Sequence, residues 1–115
     1  MYDLYAPDGA AVAVVAEMFG DGVLDAATGA IDRAKLGAIV IGDDAKMRAL
    51  ESAVHPLVER AREAFVEAHA NDDVVVFDIP LLYEKGYEAS VDAVCVVSTG
   101  DEATQRARVL KRDGM

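Results

Sequence analysis

Two strongly apolar segments place the tightest limit on what this chain can fold into. Val74–Asp78 reads VVVFD and Val91–Ser98 reads VDAVCVVS, and neither shows a regular alternation of apolar and polar residues. Strands of this composition are typical of parallel sheets that are covered on both faces. Helical patterns surround both segments, so the chain is expected to adopt an α/β fold with two strands.

The two strands cannot complete a sheet by themselves. A single parallel pair would leave two long apolar edges bare, and such edges favour aggregation. The chain has 115 residues, which is enough for one small domain. We therefore expect a single partial domain that is marginally stable or prone to aggregation in isolation.

Capping signals and apolar periodicity predict about five helices. The first two span Asp8–Gly20 and Asp32–Gly42, each beginning at an aspartate and ending at a glycine. Two more lie within Asp43–Ala70, with a break or kink just before Pro56, because proline removes a helical hydrogen bond. The last helix spans Thr99–Arg112, beginning in a capping-box sequence.

Charge and cysteine content narrow the class of ligand. The formal net charge is −10, which disfavours nucleic acids and anionic membranes as partners. Four of the 11 basic residues nevertheless cluster in one short stretch: Arg106, Arg108, Lys111 and Arg112. This cluster favours a small anionic ligand, although it could also compensate a helix dipole. The single cysteine, the absence of a signal-peptide pattern and the lack of a run of ~20 apolar residues predict a cytoplasmic protein.

The end of the first predicted strand is the best candidate for a ligand site. Asp78 ends an apolar run, at the strand end where ligand sites form in α/β proteins. Pro80 and the sequence Leu81–Tyr83 follow, so a charge and an apolar surface are adjacent. The simpler alternative is a carboxylate that caps the next turn and apolar residues that pack beneath it.

Five stretches, in this order and spacing, resemble the dephospho-CoA kinase family. They are LYAP (Leu4–Pro7), IDRAKLGAIV (Ile31–Val40), VHPLV (Val54–Val58), DIPLLYE (Asp78–Glu84) and QRARVLKRDG (Gln105–Gly114). The resemblance covers essentially the whole chain. It implies a partial P-loop kinase fold, with a helical acceptor-binding lobe over about residues 1–72 and part of the kinase core and lid over about residues 73–115.

The resemblance also implies an activity and its substrates. Members of the family use ATP and Mg²⁺ to phosphorylate the 3′-hydroxyl of dephospho-CoA, the last step of coenzyme A biosynthesis. The family's phosphate loop, G-x-x-x-x-G-K-S/T, is absent from these 115 residues. Gly37 and Gly42 have the glycine spacing, but Asp43 and Asp44 follow where lysine and Ser/Thr are required. We therefore expect the chain to need the P-loop segment for a complete sheet and to be inactive alone; the alternative is a non-catalytic CoA- or nucleotide-binding protein, or a partner subunit, derived from the kinase.

The roles of individual residues follow from the same resemblance. Arg108 is the expected catalytic residue and contacts ATP together with Arg112. The acceptor-binding residues are expected to be Asp78, Leu81, Leu82, Tyr83, Glu84, His55 and Pro56. Each also has a structural alternative, such as a solvated loop acid for Glu84 and, for His55, either a helix-start cap or a partner in the core. No metal ligands are expected, because the two histidines and Cys95 lack the spacing of a zinc site.

Overall fold

The computed structural model describes residues 2–112, which fall into two units that divide between Val75 and Val76. The first unit contains four α-helices among its described residues, and the second contains one. The helices are α1 (Tyr2–Tyr5), α2 (Val12–Phe19), α3 (Arg33–Val40), α4 (Asp44–Ala68) and α5 (Glu102–Leu110). Two short 3₁₀ helices span Asp21–Val23 and Tyr87–Ser90. No helix in the described part of the chain is long and apolar enough to cross a membrane.

The first unit encloses a hydrophobic core. Side chains from α1 through the first half of α4 meet there, and Val15 and Val23 are completely shielded from solvent. The buried residues are Leu4, Ala11, Val15, Val23, Ile31, Leu36, Val40, Leu50 and Val54. Backbone hydrogen bonds connect the elements around this core: Ala11 N–H donates to Leu4 C=O, and Ile31 N–H donates to Tyr5 C=O. The core therefore forms from neighbouring helices and the turns between them.

Aspartate caps start α3 and α4 as the sequence predicts. The Asp32 carboxylate accepts hydrogen bonds from the N–H groups of Ala34 and Lys35, at 3.0 and 3.1 Å. The Asp43 carboxylate does the same at the start of α4, through the amides of the residues two and three positions later. A capping carboxylate satisfies amides that have no partner within the helix, so both helix starts are determined locally.

The beginning of the chain differs from the prediction. Asp8 does not cap a helix but lies in a turn with φ +62°, and α2 begins four residues later at Val12. The close approach of Gly9 to the Leu4 carbonyl shapes this turn, because a Cβ at Gly9 would lie 2.3 Å from that oxygen. The helix ends at Gly20 as predicted, with φ +85°.

A break or kink was predicted just before Pro56, and the break is wrong. Helix α4 runs as one element from Asp44 to Ala68 with Pro56 inside it. Leu50 and Val54 are buried before the proline, and Leu57 packs against the same core after it. Burial on both sides outweighs the loss of one helical hydrogen bond, which is a case of tertiary packing overriding local preference.

The two predicted strands are not confirmed, because no strand forms over 74–78 or 91–98 in the described part of the chain. The single bridge among the described residues joins Leu24 and Ile31 in the first unit. Val76 is 81% exposed and Val97 is 93% exposed. A strand requires a ladder of hydrogen bonds to a neighbouring strand, and no strand pairing joins these two segments among the described residues.

Candidate functional site

A cleft of about 340 Å³ lies in the second unit. Its walls come from the two segments that were predicted as strands, Val74–Asp78 and Val91–Ser98, and from the turn that follows the first of them. Asp78, Leu82 and Tyr83 line it, together with apolar residues such as Phe77 and Val94. Asp78 is the one charged side chain among the described lining residues. The cleft thus brings together three of the residues predicted for the acceptor site, one carboxylate and two apolar side chains.

The turn after Asp78 is held by its own backbone. Lys85 N–H donates to Leu81 C=O at 3.0 Å, and Tyr87 N–H donates to Leu82 C=O at 2.9 Å. Leu81 has φ +56° and a side chain that is 58% exposed, and it does not line the cleft. Glu84 is exposed on the same turn. Leu81 and Glu84 therefore adjoin the cleft in sequence without forming its wall.

His55 and Pro56 lie in the first unit, within α4. The His55 side chain is half-buried and Pro56 is exposed. Both lie well inside the helix, so the alternative of His55 as a helix-start cap is wrong. The structure places these two residues in a different unit from the cleft.

Helix α5 carries Arg108, one of the two predicted arginines. The Asp101 carboxylate accepts the Thr104 N–H at 2.7 Å, and this hydrogen bond lowers the pKa of Asp101. Asp101 is thus the cap, two residues after the predicted Thr99. The Arg108 side chain is exposed in the last turn and makes no hydrogen bond or ion pair with any described residue.

Arg112 lies outside the helix that was predicted to contain it. Helix α5 ends at Leu110, and Arg112 is exposed two residues later, where its N–H donates to Val109 C=O at 3.1 Å. Gln105 and Arg108 lie three residues apart on one face of α5, and Arg112 lies beyond the end of that helix. Gly114, the last residue of this resembling stretch, lies outside the described residues.

One contact was not predicted from the sequence. The Arg33 guanidinium lies 5.4 Å from the centre of the Tyr5 ring, a cation–π distance. Burial raises the pKa of Tyr5, and the positive charge of Arg33 partly opposes that shift. Both residues fall in the first two of the stretches that resemble the kinase family, which was the available signal.

The described residues do not gather a metal site. No group of three or more His, Cys, Asp or Glu side chains in 2–112 has the geometry to hold an ion.

Comparisons with known proteins identify the family. The family model for dephospho-CoA kinase matches residues 2–115. A curated dephospho-CoA kinase of Cereibacter sphaeroides is 46% identical over 115 residues, which is 100% of this chain and 56% of the relative. One from Mesorhizobium japonicum is 46% identical over 109 residues, covering 93% and 53% respectively. One from Novosphingobium aromaticivorans is 54% identical over 85 residues, covering 74% and 42%.

No solved structure matches. The chain spans about half the length of the curated relatives it matches. With a family model that matches nearly every residue, the chain belongs to the dephospho-CoA kinase family, which confirms the resemblance seen in its sequence.

Proposed function

We propose that this chain supplies the acceptor-binding lobe and the phosphate-binding arginines of a kinase that transfers the γ-phosphate of ATP to the 3′-hydroxyl of dephospho-CoA. The observation that carries this proposal is the cleft of the second unit, where the Asp78 carboxylate and the Tyr83 side chain lie among apolar residues. Dephospho-CoA combines hydroxyl groups with a purine and an aliphatic arm. A cleft of mixed character suits such a molecule, since apolar walls bury its carbon surface while a few polar groups orient it.

Asp78 is proposed to accept a hydrogen bond from a ligand hydroxyl. Leu82 and Tyr83 would hold the adenosine or pantetheine end against the apolar wall of the cleft. The rest of the proposed acceptor set is Leu81 and Glu84 on the same turn and His55 and Pro56 in α4. Orientation of the hydroxyl is the main contribution expected here, because phosphoryl transfer depends on positioning.

Arg108 is proposed as the catalytic group of this chain, with Arg112 as a second contact to ATP. The exposed Arg108 guanidinium has no partner among the described residues, so it is available to an incoming phosphate. A guanidinium stays charged and donates in a fork that matches phosphate oxygens, and it stabilises the charge of the transferring group. The Mg²⁺ that supports this chemistry would be held largely by the ATP phosphates, since the described residues gather no ligand set for it.

The segments Val74–Asp78 and Val91–Ser98 are proposed to become strands in a longer polypeptide. They carry exposed valines, which a neighbouring parallel strand would cover. In a P-loop kinase the strand that leads into the phosphate loop would be that neighbour. A cytoplasmic location stays a prediction from the sequence.

A non-catalytic binding protein is the second candidate. It applies if no segment with a G-x-x-x-x-G-K-S/T motif joins these 115 residues, which themselves lack that motif. Without a phosphate-binding lysine loop, the chain would bind dephospho-CoA or ATP without transferring phosphate.

Calorimetric titration of the chain with dephospho-CoA, and separately with ATP, tests these proposals. We expect dephospho-CoA to bind, and Asp78→Asn to weaken its binding about tenfold, the loss typical of one charge-assisted hydrogen bond. Asp92→Asn is the matched control, because Asp92 is exposed next to the second segment and does not line the cleft. If neither ligand binds, the acceptor-site proposal is wrong.

The arginines and the activity need their own measurements. Arg108→Ala should weaken ATP binding, whereas Arg106→Ala, an exposed residue on the same helix, should leave it unchanged. Equal losses would indicate a general charge effect instead of a phosphate contact. We further expect no transfer of phosphate by the pure 115-residue chain, and detection of 3′-phosphorylated product would overturn that expectation.

A further inference from the structure

Leu81 has an unusual backbone conformation for its residue type. Its φ of +56° lies in the left-handed region, which glycine, asparagine and aspartate enter readily and a branched leucine avoids. Its side chain is 58% exposed, so burial of the leucine does not explain why the residue is held there. An outlier of this kind beside a candidate ligand site is a reason to look for a role in the site.

The conformation reverses the chain direction at the edge of the cleft. Pro80 restricts Ile79 to extended backbone, and Ile79 still lines the cleft. Leu81 then turns the chain, and the next two residues, Leu82 and Tyr83, line the cleft again.

Hydrogen bonds lock the turn in place. The carbonyl of Leu81 accepts from Lys85 N–H, and the carbonyl of Leu82 accepts from Tyr87 N–H. Gly86, with φ +70°, ends the turn in the same left-handed region. What the turn requires of Leu81 is therefore its backbone geometry, whereas its side chain is exposed and does not line the cleft.

We propose that Leu81 is a positioning residue, whose left-handed backbone directs Leu82 and Tyr83 into the dephospho-CoA cleft. This inference rests on the proposed function. It changes the role of Leu81 in that proposal from a side chain that contacts the ligand to a backbone that holds the turn. The two roles predict opposite orders of substitution, which makes them separable.

Three variants at one position distinguish the roles. Leu81→Asn keeps nearly the same size and tolerates the left-handed region, Leu81→Gly removes the side chain and tolerates it, and Leu81→Val stays apolar but resists it. If the backbone conformation matters, the Leu81→Asn and Leu81→Gly variants should bind dephospho-CoA within about threefold of the unchanged chain. The Leu81→Val variant should bind about tenfold more weakly. If the side chain contacts the ligand, Leu81→Val should bind best of the three variants, and Leu81→Asn and Leu81→Gly should lose most affinity.

Amide hydrogen exchange supplies a readout that needs no ligand. The amides of Lys85 and Tyr87 report the two hydrogen bonds of the turn. We expect Leu81→Val to speed their exchange about tenfold and Leu81→Asn to leave it nearly unchanged. Equal exchange in the two variants would overturn the proposal.

The combined results separate this inference from the proposed function. If the unchanged chain does not bind dephospho-CoA, the acceptor-site proposal fails, and the exchange rates still decide whether Leu81 holds the turn. If the unchanged chain binds dephospho-CoA and Leu81→Val binds it more tightly than Leu81→Asn and Leu81→Gly, the acceptor site stands. The positioning role of Leu81 is then refuted.

Discussion

Val15 and Val97 lie in similarly apolar stretches of the sequence, yet Val15 is completely buried and Val97 is 93% exposed. The difference follows the division of the chain into two units. The first unit holds every residue of the buried core, whereas no described residue of the second unit is buried. Apolar sequence is thus distributed over both units, but burial is confined to one.

The contrast shows what each kind of secondary structure needs from its surroundings. Helices satisfy their backbone internally, so four of them can close a core with short turns between neighbours. Extended segments need hydrogen-bonding partners that are distant in sequence. The second unit satisfies its backbone only locally, through the turn after Leu81 and through helix α5.

The largest expected effect is a difference in core stability between the units. Leu36 is 4% exposed in α3, so Leu36→Ala should lower the free energy of unfolding by about 3 kcal/mol. Leu110 is 70% exposed at the end of α5, so Leu110→Ala should change it by less than about 0.5 kcal/mol. Chemical denaturation followed by circular dichroism measures both. Similar losses for the two variants would mean that Leu110 is buried in solution, and the contrast between the units would disappear.

A smaller effect tests how the first unit closes its core. Gly9→Ala would place a Cβ 2.3 Å from the Leu4 carbonyl oxygen, so the turn between α1 and α2 must shift. We expect a loss of about 1–3 kcal/mol, the range found for overpacking. Gly22 is the matched control, because a Cβ there meets no atom within 4 Å. Thermal unfolding of the two variants decides the matter, and a neutral Gly9→Ala would show that α1 does not contact the turn.

The smallest effect concerns a feature that the two units share. Hydrogen bonds from backbone N–H groups, that of Lys46 first, lower the pKa of Asp43 below its ordinary value of 3.8. The backbone N–H of Thr104 lowers the pKa of Asp101 in the same way. A lowered pKa in the folded state stabilises the fold above the ordinary value, and this contribution is lost as pH falls through the lowered pKa. We therefore expect the start of α4 to loosen below about pH 4.

Substitution by asparagine isolates this contribution. Asparagine caps a helix about as well as aspartate but does not titrate, so Asp43→Asn should reduce the acid dependence and keep the helix start. The neighbouring Asp44→Asn is the control, since the Asp44 carboxylate accepts no backbone hydrogen bond in the structure. Amide exchange of Lys46 between about pH 5 and about pH 2 provides the readout. An unchanged acid dependence in Asp43→Asn would show that another carboxylate is responsible.

Local signals in the sequence predicted much of the helical part. Asp32 and Asp43 start α3 and α4, and Gly20 ends α2, because each acts on amides or dihedrals within a few residues. The candidate site was partly visible for the same reason, since Asp78 and the two residues Leu82 and Tyr83 are close in the chain and meet in one cleft.

Tertiary structure decided the features that depend on distant partners. Pro56 remains inside α4 because apolar residues on both sides of it pack against one core, which outweighs a local rule. The predicted strands do not form among the described residues, because a strand depends on hydrogen bonds to a partner that is distant in sequence. The left-handed turn at Leu81 likewise has no signal in its residue type. By itself, then, the sequence determined the helix starts and the family, whereas long-range contacts decided which apolar residues are buried.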